Sequence, residues 1–355
     1  MKYKYFYYCL FLMFWECNFQ NIKDPVLADF NKTTFLTMVN SSIKNSEIGE
    51  IVDFVAIDSF LIANEIFASK IFKLYNTRTG ELLSNFINKG KGPNEMLFPY
   101  KLNYYNTDCF TTFDYNTKEL IYFSLDDFRN QNYRYYKKVK VDFSGTQSSV
   151  TDAYPLNDNI LLCTGFFEKG QYVLYDINSR STKFFLDYPY DKKHKGESNE
   201  IKGTAFQGKI SIKPDRKKII NVTGAVLEIC EMDNNNEIKR IFRKVYYFPV
   251  YKVIQNHAAF DSSQPYAFNS ISSTNSYIYM VYSGRSMHDF GEEYYAGNNL
   301  LVFDWEGKPV IRFVLDRYIK CFTLDKITMK IYGYSTNPST GEPEIVTYQL
   351  PEIKR

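Results

Sequence analysis

Leu301-Val302-Phe303-Asp304, a turn through Trp305-Glu306-Gly307-Lys308-Pro309, and Val310-Ile311-Arg312-Phe313 together decide the fold. Two short apolar runs flank a turn that carries Asp and Gly, the pattern of two adjacent antiparallel strands. The same unit recurs as Phe72-Lys73-Leu74-Tyr75-Asn76 before Glu81-Leu82-Leu83, and as Val173-Leu174-Tyr175-Asp176 before Lys183-Phe184-Phe185. Weaker copies end near Asp126, Asp233 and Gln349. Elsewhere the apolar runs stay short and are punctuated by Asn, Asp, Gly and Thr, with no helical period sustained over three turns. The chain therefore reads as all-β.

The marks Asn76, Asp126, Asp176, Asp233, Asp304 and Gln349 lie 50, 50, 57, 71 and 45 residues apart. A four-stranded propeller blade takes about 40 to 50 residues, so six marks predict a six-bladed β-propeller with insertions in the third and fourth intervals. Only Pro351 to Arg355 follow the last mark, which leaves the sixth blade three strands of its own, near 321–324, 330–334 and 345–350. An open edge is a liability. The segment Thr33-Thr34-Phe35-Leu36-Thr37-Met38-Val39 is expected to fill it, closing the ring as an N-terminal strand paired into the last blade. Two β-sandwiches divided near residue 190 are the alternative. No linker rich in Pro, Gly or Ser separates two halves, which favours the ring.

Composition agrees with strands. Among 355 residues there are 31 Tyr and 30 Phe, and aromatics make up 18%. With 43 Lys and Arg against 40 Asp and Glu, the net charge is only +3, which argues against nucleic acid as a partner.

Lys2 and Lys4 precede an apolar stretch from Tyr5 to Trp15, too short to span a bilayer but ordered like a secretory signal. Residues 1–16 are thus expected to be a signal peptide, 17–27 a tether and 28–355 a single propeller domain. Phe14-Trp15-Glu16-Cys17 resembles the lipobox of bacterial lipoproteins, with Glu16 where a small residue is usual, so Cys17 is the expected lipidation site. Asn18-Phe19-Gln20-Asn21 is not the acidic run of surface-exported lipoproteins, which favours the periplasmic side of the cell envelope. The ring cysteines Cys109, Cys163, Cys230 and Cys321 form no C-x-x-C pair, and each sits in an apolar run. They read as buried thiols, with a disulfide as the alternative.

Asn88-Lys89-Gly90-Lys91-Gly92-Pro93-Asn94-Glu95 resembles the G-x-G-P-x-E signature of the TolB-like six-bladed propeller lipoproteins of Bacteroidetes. Tyr277-Ile278-Tyr279-Met280-Val281-Tyr282-Ser283-Gly284-Arg285, followed by Val302-Phe303-Asp304-Trp305-Glu306-Gly307-Lys308-Pro309, is similar to that group's fifth-blade pattern. Lys330-Ile331-Tyr332-Gly333-Tyr334 fits as well. The resemblance runs from about Ile51 to the C-terminus and implies a fold and an envelope address. It implies no catalytic residue.

Gly90, Gly92, Pro93 and Asn94 suit a rigid turn between blades rather than a phosphate loop. With strands A to D counted outwards from the axis, the A–B and C–D turns share one face, and the B–C and D–A loops share the other. Residues 90–95, 189–201 and 248–265 are expected to be D–A loops and 284–298 a B–C loop, so the longest irregular segments fall on one face. Loops held by a rigid scaffold are where binding usually resides. On that face Arg285, His288, Asp289, Glu292, Glu293, Tyr294 and Tyr295 are the candidate ligand residues, because they join aromatic faces to charged tips. A glycan or peptide, or an envelope protein, is the expected partner, bound by a monomer that meets the membrane only through its anchor.

His194, His257 and His288 lie in the same loops and, with Asp289, Glu292 and Glu293, are donors of the kind a divalent metal such as Zn²⁺ takes. The plainer alternative is polar residues in loops, and no cofactor is expected. No nucleophile elbow or H-E-x-x-H motif is present. A non-enzymatic binding protein is the first reading. A metal-dependent hydrolase, lyase or lactonase with its site near the axis is the alternative.

Overall fold

The computed structural model describes residues 24–353 except 40–42, 44–47, 144–147, 190–191, 193, 234 and 256. The signal peptide and Cys17 lie outside the described residues. Strand β1 (Thr33–Leu36) precedes the first blade, which is built from β2 (Asp53–Ile57), β3 (Phe60–Asn64), β4 (Lys70–Asn76) and β5 (Leu82–Lys89), with β6 (Glu95–Met96) added in parallel. The second blade has β7 (Pro99–Asn106), β8 (Cys109–Asp114), β9 (Glu119–Ser124) and, after helix α1 (Leu125–Arg129), β10 (Lys137–Lys140). The third has β11 (Ser149–Pro155), β12 (Ile160–Phe166), β13 (Tyr172–Asp176) and β14 (Thr182–Phe185).

Helix α2 (Asn199–Ala205) leads into the fourth blade, β15 (Gly208–Ile212), β16 (Lys218–Thr223), β17 (Ala225–Met232) and β18 (Ile238–Tyr247). A hairpin of β19 (Tyr251–Ile254) and β20 (His257–Phe260) follows. The fifth blade runs β21 (Phe268–Ser273), β22 (Tyr277–Tyr282), α3 (Met287–Phe290), β23 (Gly297–Asp304) and the first part of β24 (Pro309–Asp325). Its second part is the inner strand of the sixth blade, completed by β25 (Lys330–Thr336) and β26 (Pro343–Gln349).

Burial follows radial position. Every residue of β3 is buried, because a strand deep within the ring is covered on both sides, whereas β18 at the rim alternates buried, exposed and half-buried. Blades diverge outwards, so the wedges between them need large side chains. Between the first two blades Phe110 stacks on Phe123 at 4.8 Å, and Phe86 meets Phe128 edge-on at 5.2 Å. This is the structural use of the aromatic excess. Apolar clusters occupy all six interfaces, including the one where Ile51, Phe54 and Leu61 of the first blade pack on Cys321, Tyr332 and Ile345 of the sixth.

The closing strand differs from expectation. β1 does not complete the last blade; it pairs in parallel with the outer strand of the fifth, from Thr33 opposite Arg312 to Leu36 opposite Leu315. The last blade receives one bridge, in which the Val39 amide donates to the Thr347 carbonyl at 2.8 Å. The reason is the unbroken β24, which passes from the rim of one blade to the axis of the next and leaves its rim edge open to β1. Packing and the Ala56 amide, which donates to Thr323 Oγ1 at 3.2 Å, join the sixth blade to the first.

The segment before β1 is also part of the body. Val26, expected in the tether, is fully buried with Phe30 between the fourth and fifth blades. Asp24 accepts from Tyr282 Oη at 2.7 Å, and Asp29 accepts from Tyr246 Oη at 2.7 Å.

Candidate functional site

Inner strands β2, β7, β11, β15, β21 and the second part of β24 surround the axis and enclose a cavity of about 680 Å³. Each of these strands leaves a D–A connection and runs towards an A–B turn. Residues early in them therefore lie near the D–A/B–C face. Five of the early positions are ionisable: Asp53, Lys101, Asp152 and Lys209, one from each of the first four blades and alternating acid and base, and Lys320 in the sixth, which is paired with Glu293. The first four form the charged ring. Among the described residues none of the four makes an ion pair within 4.0 Å.

Their partners are local. Asp53 Oδ2 accepts from the Leu102 amide at 2.9 Å, and Asp152 Oδ1 accepts from its neighbour's amide, that of Ala153, at 2.9 Å. Lys101 Nζ donates to Tyr154 Oη at 3.3 Å. Asp152 is buried, whereas Asp53, Lys101 and Lys209 keep some accessible surface, which is surface turned towards the cavity. Burial pushes Asp53 up to about 6, against the Leu102 amide and the Lys101 charge, which favour the ion. Burial likewise raises Asp152 and lowers Lys101 and Lys209. Burial thus disfavours the charged form of all four.

In the fifth blade Asn269 takes the equivalent place. Its Nδ2 donates to the carbonyls of Tyr295 at 2.9 Å and Ile319 at 2.6 Å, while Oδ1 is buried with no hydrogen-bond partner. Tyr100, Tyr154, Tyr266, Tyr294 and Tyr295 add aromatic walls, with Tyr294 edge-on to Tyr266 at 5.4 Å and to Tyr295 at 5.9 Å. A side chamber of about 580 Å³ shares Tyr100, Lys101, Tyr154 and Lys209 with the axial cavity and extends under α2 and Phe260 of the β19–β20 hairpin. Gln171 lines it at 3% exposure, and neither of its amide atoms has a hydrogen-bond partner.

The expected ligand residues divide. Tyr294 and Tyr295 reach the axial cavity. Arg285 instead lies over the rings of Phe290 at 4.1 Å and Tyr318 at 4.6 Å, and donates to the Glu293 carbonyl at 3.3 Å. Glu293 pairs with Lys320 at 2.8 Å. His288 is exposed beside Asp289, whose carboxylate accepts from Ser286 Oγ at 2.5 Å while that same oxygen caps α3, and Glu292 is exposed. This loop thus spends most of its charge on its own fold.

The three histidines do not assemble. His194 is buried, 2.7 Å from Glu197 and stacked on Tyr251, whereas His257 is exposed in β20. Among the described residues no group of three or more His, Cys, Asp or Glu side chains could hold a metal ion. The four ring cysteines are buried free thiols, and burial raises each of them.

The glycine motif is a turn built around Glu95. Glu95 Oε2 accepts from the Gly92 amide at 2.8 Å, and a Cβ on Gly90 would stand 2.0 Å from the same oxygen. A side chain at Gly90 would displace the Glu95 carboxylate from its place on the Gly92 amide. Two topological expectations fail: the expected irregular D–A loop 248–265 contains the β19–β20 hairpin, and the C–D connection of the second blade, with α1, is also long and lies on the opposite face.

The axial ring escaped sequence reasoning. Its signal is a lone charge early in each of the first four inner strands, as in Val52-Asp53-Phe54, Tyr100-Lys101-Leu102, Thr151-Asp152-Ala153 and Gly208-Lys209-Ile210.

Among the described residues no helix is long and apolar enough to cross a membrane. No curated protein matches the sequence. A crystal structure of a member of the DUF4221 family from Bacteroides vulgatus superposes with a TM-score of 0.58 at 8% identity, covering 89% of this chain and 95% of that one. Such likeness is one of fold. KlHsv2 with loop 6CD replaced by a Gly-Ser linker reaches a TM-score of 0.39 at 10% identity over 86% of this chain and 99% of that one, and carries no argument. A family model does match, over residues 52–327, which takes in the first five blades and the inner strand of the sixth, and the chain therefore belongs to the family described as TolB-like 6-blade propeller-like.

Proposed function

We propose that this propeller is a non-enzymatic binding protein that takes a short peptide into its axial cavity from the D–A/B–C face. The observation that carries the reading is that Asp53, Lys101 and Lys209 line the axial cavity, and Asp152 the side chamber that opens from it, without mutual ion pairs among the described residues. Charges of both signs, set apart under tyrosine walls, match a ligand that carries an amine and a carboxylate. The unpartnered amide of Gln171 in the side chamber complements a peptide group. A glycan with amino substituents is the competing ligand of the same site.

Calorimetric titration with tripeptides of defined charge, and in parallel with chito-oligosaccharides, tests the reading. Peptide binding that weakens about tenfold in Asp53→Asn and Lys209→Met supports it, that being the scale of one charge-assisted hydrogen bond. Binding of the sugars alone transfers the site to glycans. No binding by either class overturns it.

The alternative of a metal-dependent hydrolase finds no donor cluster among the described residues, and the lysines of the ring would repel a cation. A partner protein is favoured by one observation, the exposed apolar side chains Val253, Ile254 and Phe260 on the β19–β20 hairpin. Attachment to the periplasmic side of the envelope through Cys17 completes the proposal, on the strength of the leader. Replacing Cys17 with Ser should move the mature chain from the membrane to the soluble fraction.

A further inference from the structure

The opposite end of the axis carries a second, separate arrangement. Arg216 in the A–B turn of the fourth blade and Lys326 in that of the sixth line the same cavity as Tyr104 and Tyr105 at the end of β7. The Arg216 guanidinium lies over the Tyr105 ring at 3.9 Å, and Lys326 Nζ lies over the Tyr104 ring at 3.6 Å. Alternate blades thus bring two cations to one place, each seated on an aromatic face.

Neither cation has a carboxylate within 4.0 Å among the described residues. The nearby acids are occupied. Asp325 accepts from the Ile327 and Thr328 amides and from Thr328 Oγ1. Asp215 pairs with Lys213 at 2.6 Å, and Asp158 accepts from Tyr105 Oη at 3.3 Å. Arg216 donates to the carbonyls of Pro155, Leu156 and Tyr105, which uses three of the five N–H groups of a guanidinium. Lys326 donates to no protein acceptor among the described residues. Its ammonium is held down to about 7, first by burial and then by the Arg216 charge. The cost of burying these charges without an acid is relieved either by loss of the Lys326 proton or by an anion that shares the site.

We infer that the A–B end of the axial cavity is an oxyanion site, which takes the phosphate or carboxylate group of a small molecule between Arg216 and Lys326. The site stands apart from the peptide reading, because its residues belong to A–B turns and none is in the charged ring.

Titration of the full chain with inorganic phosphate, and separately with citrate, at constant ionic strength set by sodium chloride tests the inference. The expected result is saturable binding of at least one anion, weakened about tenfold in Lys326→Met and retained in Lys326→Arg, the loss expected for one charge-assisted contact. Phosphate alone, citrate alone or both would identify the oxyanion. Lys326 should also be labelled by an amine-reactive reagent at neutral pH and protected by the bound anion. Absence of binding by both anions, or binding equal in Lys326→Met, overturns the site. Lys326 lies in a turn and makes no hydrogen bond to the described protein, so a folded variant is expected, and an unchanged melting curve confirms it.

Discussion

Lys101 Nζ of the second blade donates to Tyr154 Oη of the third at 3.3 Å, so that one hydrogen bond ties two inner strands inside the axial cavity. The lysine is thereby oriented towards the tyrosine rather than paired with an acid. Replacing Tyr154 with Phe should keep the fold, since the ring stays, and should weaken binding of a carboxylate-bearing peptide by freeing the ammonium from its position. Calorimetry on the variant, beside a thermal melt, separates that effect from a loss of stability.

Asp53 predicts a pH dependence. Its folded value, about 6, lies above the ordinary 3.8, so between those values the folded state holds a proton that the unfolded chain has released. The stability this contributes is complete below about 4 and lost as pH rises through 6. Asp53→Asn should therefore melt higher than the parent at pH 7.5, by on the order of 1 to 2 kcal/mol once water in the cavity is allowed for, with the gap closing towards pH 4. A variant less stable than the parent at pH 7.5 would mean that the Leu102 amide bond outweighs burial.

Gly90→Ala should destabilise the chain by about 1 to 3 kcal/mol, because the new methyl group displaces the Glu95 carboxylate from its charge-assisted hydrogen bond to the Gly92 amide. Most of that cost should vanish in a Glu95→Ala background. Denaturant melts of the double-mutant cycle measure the coupling directly.

The N-terminal segment is predicted to hold the ring from outside. Phe30, buried and edge-on to Phe303 at 5.1 Å, should cost about 3 kcal/mol or more when cut to Ala. Truncation before Val39 removes Val26, Phe30 and all of β1, and should lower the melting temperature of the whole transition rather than produce a separate early step. An unchanged midpoint would count against this clamp.

The four ring thiols should not react with a thiol reagent in the native protein and should all react after denaturation, since each is buried, unpaired and raised by burial. Two native equivalents lost to a disulfide would contradict the packing.

Much was legible in the chain because it is local. Short apolar runs, Asp and Gly turns and a repeat near blade length specify strands and hairpins through contacts between near neighbours. The Gly90 to Glu95 turn is read the same way, as glycines and a carboxylate within one loop. Which edge β1 joins depends on β24 running unbroken from Pro309 to Asp325, a distant property that no feature of residues 33–36 encodes. The candidate site is of the same kind. Asp53, Lys101, Asp152 and Lys209 are isolated charges in the sequence, and only the radial order of the blades gathers them around the axial cavity and its side chamber. Sequence by itself determined the β-blades and their number, because hydrogen-bonded hairpins are made between neighbours. Tertiary structure alone decided which charges meet, because closing a ring brings together residues that the chain keeps about fifty positions apart.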